Sequence, residues 1–414
     1  MNIKGKKLLI LGGTKLSCDI ITTAEKMGVY TIVTDWNDVQ KSPAKRYADE
    51  YWDVSLMDYK ELLKRVHDNN VDGILTGFTD SYLLPYQKLC ELAKKPCYAT
   101  KGQLEWTLDK KKFKEKCRKH NVPVVPEYNM DNFDKSIISR GHKVIIKPVD
   151  NSGSRGICIC EDPESFEEKL KYSLDFSAKK KVVVERYMDC DDVSFEYKVQ
   201  EGEVSLTAIC DRYIYKTLDE GSVTSTLIYP SKYTEAYLSD VDKRVKRMFE
   251  LEGLRNGVLF MQAFVDDGEF YFYEMGYRLS GGRHYIFTEN QNGDNAVKEL
   301  INFALTGKMS NYRIANIANP SFKDVCSQQS IICKSDKIAK VEGWDDISGI
   351  PQVIDAMQVY KEGDVVGKEG TTASIFARLH IVVKSLDELN TIKRKIYSTL
   401  KVENEDGENL VIFC

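Results

Sequence analysis

The sequence predicts a multidomain protein that is α/β at its N-terminus and α+β thereafter, and three observations carry this reading. At 414 residues the chain exceeds what one hydrophobic core organises, so two or three domains are expected. Its first hundred or so residues alternate short apolar runs with helical patterns, as right-handed βαβ units on a parallel sheet do. From residue 143 the pattern becomes strand-rich, with a glycine turn signal at "QEGEV".

The elements follow in order. "KLLILGG", "YTIVTDW" and "VDGILTGF" read as buried strands, and "SCDIITTAEKMG", "YKELLKRVHDNN" and "LLPYQKLCELAKK" as the helices between and after them, which makes residues 1–107 a Rossmann-like domain. Gly12 and Gly13 form the first strand-to-helix turn, but the spacing is not Gly-x-Gly-x-x-Gly and Asp35 is only faintly like a ribose-binding acid, so a dinucleotide site is the weaker reading. Residues 104–120 are helical and basic, and the prolines of "NVPVVPEY" end that helix, so a border falls near 107. The α+β part over 108–305 holds the strands "KVIIKPV", "GICIC", "KKVVVERYM" and "DVSFEYKVQEGEVSLTAICD". Residues 211–230 lack clear periodicity and read as a loop bordering an acceptor pocket. A third segment, 306–414, has strands such as "CSQQSIICK" and "ARLHIVVK" and a helix from Leu386 with Ser385 as its N-cap.

Composition excludes several classes. An apolar fraction of 42% and a charged fraction of 29% are those of a soluble globular protein, and a formal net charge of -4 argues against nucleic acid as the main partner. No run approaches the length of a membrane helix, and the start "MNIKGKKLLILGG" reads as a strand entry rather than a signal peptide, so a cytoplasmic protein is expected. The eleven cysteines lack the spacings of a zinc site or disulfide framework, and several, such as Cys158, Cys160, Cys210 and Cys333, lie in apolar runs as small buried hydrophobes.

Chemistry concentrates in three stretches. "GVLFMQAFVDDGEFYFYEMGYR" is a hairpin, and centring its turn on Gly268 sets Gln262 opposite Glu274. Opposed side chains share a face, and two oxygen donors there suit Mg²⁺, whose other sites phosphate and water fill. The bland alternative is an exposed glutamate on an edge strand. Arg278 and the glycines Gly281 and Gly282 weigh against it, because a guanidinium holds an oxyanion bidentately and glycine admits a ligand close to the backbone. Arg283 is a candidate second anion contact; His284 reads as structural or substrate-lining rather than a base. In "VIIKPVDNSGSRGICIC", Lys147 lies among valine and isoleucine, where it needs an anion such as a phosphate, and Ser152, Gly153, Ser154 and Gly156 form a polar loop that lacks the Walker ending. As a bare hairpin turn that loop would be unremarkable. In "VVVERYMDCDD", Glu185 to Met188 can present backbone groups to a purine edge, and Asp192 can take ribose hydroxyls.

Taken together and in this order along the chain, these residues resemble the ATP-grasp superfamily over nearly the whole length. The resemblance implies a pre-ATP-grasp domain over 1–107, an ATP-grasp domain over 108–305 with a lid at about 125–188, and a C-terminal segment, 306–414, like those of biotin-carboxylase-type members. It implies ATP contacts at Lys110 of "LDKKKF", Lys147, the loop Ser152, Gly153, Ser154 and Gly156, the hinge Glu185, Tyr187 and Met188, and Asp192. Gln262 and Glu274 would hold Mg²⁺ or Mn²⁺, and Arg278, Lys147 and Arg283 would serve the chemistry. Two positions depart from the family pattern: Gln262 replaces the commoner glutamate, as in carbamoyl-phosphate synthetases, and Gly276 stands where asparagine is usual, which implies a looser metal or a water in its place.

The activity so implied is ADP-forming carboxylate-amine ligation through an acyl phosphate, on an amino acid or small metabolite. Small-molecule carboxylate and amine substrates, no nucleic acid, no membrane, and a homodimer accompany it. Positioning and charge neutralisation carry such chemistry, consistent with a sequence that shows no Ser-His-Asp set. A phosphoribosylglycinamide-synthetase-like or carbamoyl-phosphate-synthase-like enzyme, a scaffold that has lost catalysis, and an NAD-linked enzyme are the alternatives.

Overall fold

The computed structural model describes residues 2–149, 156–217 and 221–414. Strands β1 (Lys7–Leu11), β2 (Tyr30–Thr34), β3 (Glu50–Trp52) and β4 (Gly73–Thr76) form a parallel sheet in the order β3-β2-β1-β4. Leu8 to Leu11 are buried because helices cover both faces, as the uninterrupted apolar run requires. One covering helix, Ala296–Thr306, comes from far along the chain. Gly73 admits it: a Cβ there would lie 2.4 Å from the Ala304 carbonyl oxygen.

A second, antiparallel sheet is built from β5 (Glu127–Tyr128), β6 (Val144–Pro148), β7 (Cys158–Cys160) and β8 (Val182–Arg186), ordered β5-β8-β6-β7. It has its own small core, in which Ile138, Val144, Ile146 and Val184 pack with Phe166 from the helix Phe166–Asp175. Short connections join this unit, the lid, to the rest, and the Arg186–Asp266 ion pair at 2.5 Å and the Val125 N–H donated to the Phe272 carbonyl at 3.2 Å hold it there.

The largest sheet is antiparallel. It contains β9 (Asp191–Gln200), β10 (Glu203–Lys216), β11 (Ser222–Tyr229), β12 (Gly257–Asp266) and β13 (Glu269–Gly276), then from the C-terminal segment β14 (Val325–Cys333), with β15 (Lys340–Glu342) set apart, β16 (Val353–Gln358), β17 (Ile375–Val383), β18 (Lys401–Glu403), also apart, and β19 (Val411–Ile412). Its order is β13-β12-β9-β10-β11-β14-β17-β16, with β19 on β14, while β15 pairs with β18. The β11 to β14 pairing fuses the C-terminal segment to the central strands, so one sheet face carries residues from both.

The loop expected at 211–230 is instead the end of β10 and the whole of β11. A bulge between Tyr213 and Ile214 shifts the alternation, and both faces are covered, so Ser225 and Thr226 are buried where a half-exposed strand would show polar residues outward. Ser385 caps its helix as expected, accepting from the Glu388 N–H at 3.2 Å. Among the described residues no helix is long and apolar enough to cross a membrane.

Candidate functional site

The hairpin of β12 and β13 does pair Gln262 with Glu274, but by a different route from the one the sequence suggested. Asp267 and Gly268 both have positive φ, 51° and 79°, and Asp266 pairs with Glu269, so the turn is the two-residue type and is centred between Asp267 and Gly268. That geometry alone would misalign 262 and 274. A bulge at Tyr273 corrects it, and frees the Tyr273 hydroxyl to reach both Asp192 oxygens at 3.1 Å.

Glu274 meets Lys110 Nζ at 3.2 Å, at the N-terminus of the helix Lys110–Lys119. Gln262 is half-buried and its carboxamide makes no hydrogen bond among the described residues. A carboxylate and an unpartnered carboxamide oxygen on adjacent strands fit a hard divalent cation that takes its remaining ligands from phosphate and water. Gly276 has a steric cause: a Cβ there would fall 2.3 Å from Phe260 Cε1, and the Phe260 ring lies under Arg278 with its centroid 5.0 Å from the guanidinium carbon. The space of the usual asparagine belongs to Phe260.

The arginines are already engaged. Arg278 grips Asp80, which opens the short 3₁₀ helix Asp80–Tyr82 after β4, with Nε and Nη2 each 2.6 Å from a carboxylate oxygen, and donates to the Leu279 carbonyl at 3.0 Å. Arg283, buried and in the left-handed region at φ 54°, binds Asp19 of the helix Ser17–Lys26 at 2.6 Å and Asp355 of β16 at 2.5 Å. Tyr285 donates to Asp19 as well. Arg283 thus ties three separate segments together.

Sequence reading missed Arg378 on β17. It stands beside Arg283 and makes no hydrogen bond or ion pair among the described residues. Burial, with the neighbouring Arg283 charge, lowers its pKa to about 10. The signal was present, since an arginine amid "FARLHIVV" poses the same question as Lys147.

On the lid, the anion that meets Lys147 is Glu185, 2.7 Å away, where the sequence reading invoked a bound phosphate. Glu185 also binds Lys114, which reaches Glu127 at 2.9 Å. Burial alone would raise the Glu185 pKa, but the Lys147 and Lys114 charges outweigh it and hold the carboxyl below its ordinary range. Lys114 escaped notice because it sits in a helix of six lysines where only Lys110 matched a pattern. Tyr187 N–H donates to the Lys143 carbonyl at 2.9 Å, whereas Met188 N–H has no partner among the described residues. Gly156 has φ 76°, and a Cβ there would meet Phe176 at 2.4 Å; Ser152, Gly153 and Ser154 lie outside the described residues. Asp192 is buried against Arg212, whose Nη1 lies 2.9 and 2.8 Å from its two oxygens.

At the N-terminal turn the groups a dinucleotide would need are already engaged. Asp35 spends its oxygens on Gly13 N–H at 2.9 Å and Asn37 N–H at 2.8 Å, and the Tyr82 ring fills the space over Gly12, 2.2 Å from where a Cβ would be.

Residues 141–284, which hold the lid strands β6 to β8, the hinge and the hairpin, match the family described as the ATP-grasp domain. The chain carries an ATP-grasp domain. Over 237 residues it is 26% identical to a formate-dependent phosphoribosylglycinamide formyltransferase of Sulfurisphaera tokodaii, covering 54% of this chain and 53% of that one. Over 227 residues it is 21% identical to the carbamoyl phosphate synthase large chain of Saccharolobus islandicus, covering 49% and 21% respectively. The chain thus spans about half the length, or less, of the curated relatives it matches.

Solved structures with ATP-grasp architecture overlay nearly all of it. Phosphoribosylglycinamide synthetase from Anaerococcus prevotii aligns over 97% of this chain and 100% of its own, with TM-score 0.78 and 17% identity. An L-amino acid ligase from Bacillus licheniformis aligns over 97% and 99%, with TM-score 0.76 and 17% identity. The biotin carboxylase domain dimer of Hydrogenobacter thermophilus 2-oxoglutarate carboxylase, solved in complex with MgADP, ADP and bicarbonate, aligns over 96% and 90%, with TM-score 0.73 and 19% identity. The ATP-grasp fold, with an N-terminal α/β domain and a lid, is therefore that of this protein.

Proposed function

We propose that this protein is an ADP-forming carboxylate-amine ligase acting on an amino acid or small metabolite. The observation that carries the reading is the pair Gln262 and Glu274 on adjacent strands, with Lys110 Nζ 3.2 Å from Glu274; Arg278 follows four residues on, and Arg378 stands beside Arg283 without an ion pair among the described residues. Phosphoryl transfer needs charge placed around the transferring group more than it needs a protein nucleophile, and this is such an arrangement.

Gln262 and Glu274 would hold Mg²⁺, which when bound neutralises charge on the β- and γ-phosphates of ATP. Lys110 lies beside Glu274, within reach of the same phosphates, and Lys147, oriented by Glu185, faces them from the lid. The Met188 N–H is left to the adenine edge. Arg278 steadies the acyl phosphate once Asp80 yields one side of the guanidinium. Arg283, with its fork shared by Asp19 and Asp355, positions the segments, and Arg378 takes an anionic group of the acceptor. We read the chain as 1–107, 108–305 and 306–414, acting in the cytoplasm as a homodimer. The reading as a scaffold without catalysis drew on Gly276, and the Phe260 ring supplies another cause for that glycine.

The test is phosphate release from ATP and Mg²⁺ in the presence of pooled amino acids and small carboxylic acids. Acceptor-dependent release that falls by roughly a hundredfold or more in Glu274→Gln is expected. ATP binding without release across all pools would remove the ligase reading.

A further inference from the structure

Behind Arg278 lies a chain of proton-bearing groups that phosphoryl transfer does not use. Ser280 Oγ is 3.0 Å from His284 Nδ1, and His284 Nε2 is 3.0 Å from Glu196 Oε2 on β9. His284 and Glu196 are almost fully buried, whereas Ser280 is half-buried, two residues beyond Arg278 and next to Gly281, where a Cβ would face open space. The hydroxyl is therefore the solvent-side end of a line that runs inward to a carboxyl group. His380 Nε2–H donates to the Gly282 carbonyl at 3.1 Å and so holds the glycine loop that carries Ser280.

We infer that Ser280, His284 and Glu196 form a proton relay that deprotonates the acceptor amine for attack on the acyl phosphate. The inference rests on the ligase reading and adds to it the step that reading lacks: an amine acceptor is an ammonium at neutral pH and has no lone pair until it loses a proton. One ammonium proton passes to Ser280 Oγ as the hydroxyl proton passes to His284 Nδ1, and the His284 Nε2 proton passes to Glu196, which becomes a carboxylic acid. The amine lone pair then forms the C–N bond, the acyl C–O bond breaks with its electrons leaving on phosphate, and the second nitrogen proton departs with that phosphate. No other reactant is required.

The surroundings suit the assignment. Glu196 faces Lys198 on its own strand, Arg278 and Ser280 in the glycine loop, and His284; His284 also faces Lys198 and His380 of β17. Lys198 is neutralised by Asp294 and by Glu299, and Arg278 by Asp80. Burial raises the Glu196 pKa well above the usual carboxylate value, offset only in part by the nearby Ser280 hydroxyl and the Arg278 and Lys198 charges. Burial likewise lowers that of His284 to about 3, so the imidazole passes protons without holding one. A carboxylate so raised is a better match for an ammonium than an exposed one, and its working range moves to higher pH.

Hydroxylamine separates the relay from everything else, because it is already unprotonated at neutral pH and traps acyl phosphates as hydroxamates. Wild type, Ser280→Ala and Glu196→Gln would be assayed with ATP, Mg²⁺ and the carboxylate pools, once with hydroxylamine and once with ammonia or amino acids. The relay predicts that both variants keep hydroxamate formation within about threefold of wild type and lose amide formation by at least about tenfold at neutral pH, a loss that shrinks as pH rises and free amine accumulates. Equal losses with both nucleophiles, or no loss in Ser280→Ala, would overturn it while leaving the ligase reading intact. Absence of hydroxamate from wild type with every pool would overturn the ligase reading, and the relay with it.

Discussion

Replacing Gly276 with alanine tests whether the glycine exists for Phe260. The added Cβ would lie 2.3 Å from Cε1 and 2.6 Å from Cζ of that ring. Carbon atoms pack at about 3.5–4.0 Å, so the ring must shift by more than about 1 Å. Phe260 is only 6% exposed and lies against Arg278, so the shift overpacks the core, at about 1–3 kcal/mol, and loosens a ring-to-guanidinium contact worth about 0.5–2 kcal/mol. Gly276 does not have positive φ, so alanine carries no backbone penalty there and recovers about 0.4–1 kcal/mol by restricting the unfolded chain. The balance is a loss of about 1–4 kcal/mol. At about 2–4 °C per kcal/mol for a domain of 150–250 residues, thermal denaturation should begin about 2–15 °C lower. Gly276→Ala with Phe260→Leu should recover part of the loss. Gly276→Asn should not raise metal-dependent turnover, because its side chain has no space. An unchanged or higher melting temperature for Gly276→Ala would refute the steric account.

Other perturbations follow from the same contacts. Glu185→Ala leaves Lys147 unpaired and the nearly buried Lys114 with Glu127 alone, and should cost the lid about 1–3 kcal/mol, seen as faster amide exchange in 127–186 and weaker ATP binding; unchanged exchange would contradict the ion-pair account. Arg378→Ala should leave ATP affinity within about twofold of wild type and raise the acceptor KM by about tenfold or more; a parallel loss of ATP affinity would place Arg378 elsewhere. Glu252 would be raised by burial, but His120, Lys116 and Lys119 pull its pKa down to about 2. Its folded pKa is depressed, so its contribution is full above about pH 5 and is lost as pH falls toward 2; after solvent screening it amounts to about 1–2 kcal/mol, and Glu252→Gln should flatten the acid limb of stability by that amount.

The sequence by itself determined what local pattern encodes. Apolar runs alternating with helices imply a parallel sheet because the crossover leaves few other packings, and β1, β2 and β4 form one. The hairpin brought Gln262 and Glu274 into view because strand partners lie only 12 positions apart, although the turn and the Tyr273 bulge that align them were not separately legible. Tertiary structure alone decided which charges meet. Asp80 and Arg278 are 198 positions apart, and Asp19, Arg283 and Asp355 come from three segments, so no spacing rule joins them. The same holds for Lys114 beside Glu185, for Arg378 beside Arg283, and for Glu196 behind His284. The physical reason is common to all of these. Hydrogen-bond register and side-chain period act over a few residues, whereas the partner of a buried charge is set by which distant strands share a face.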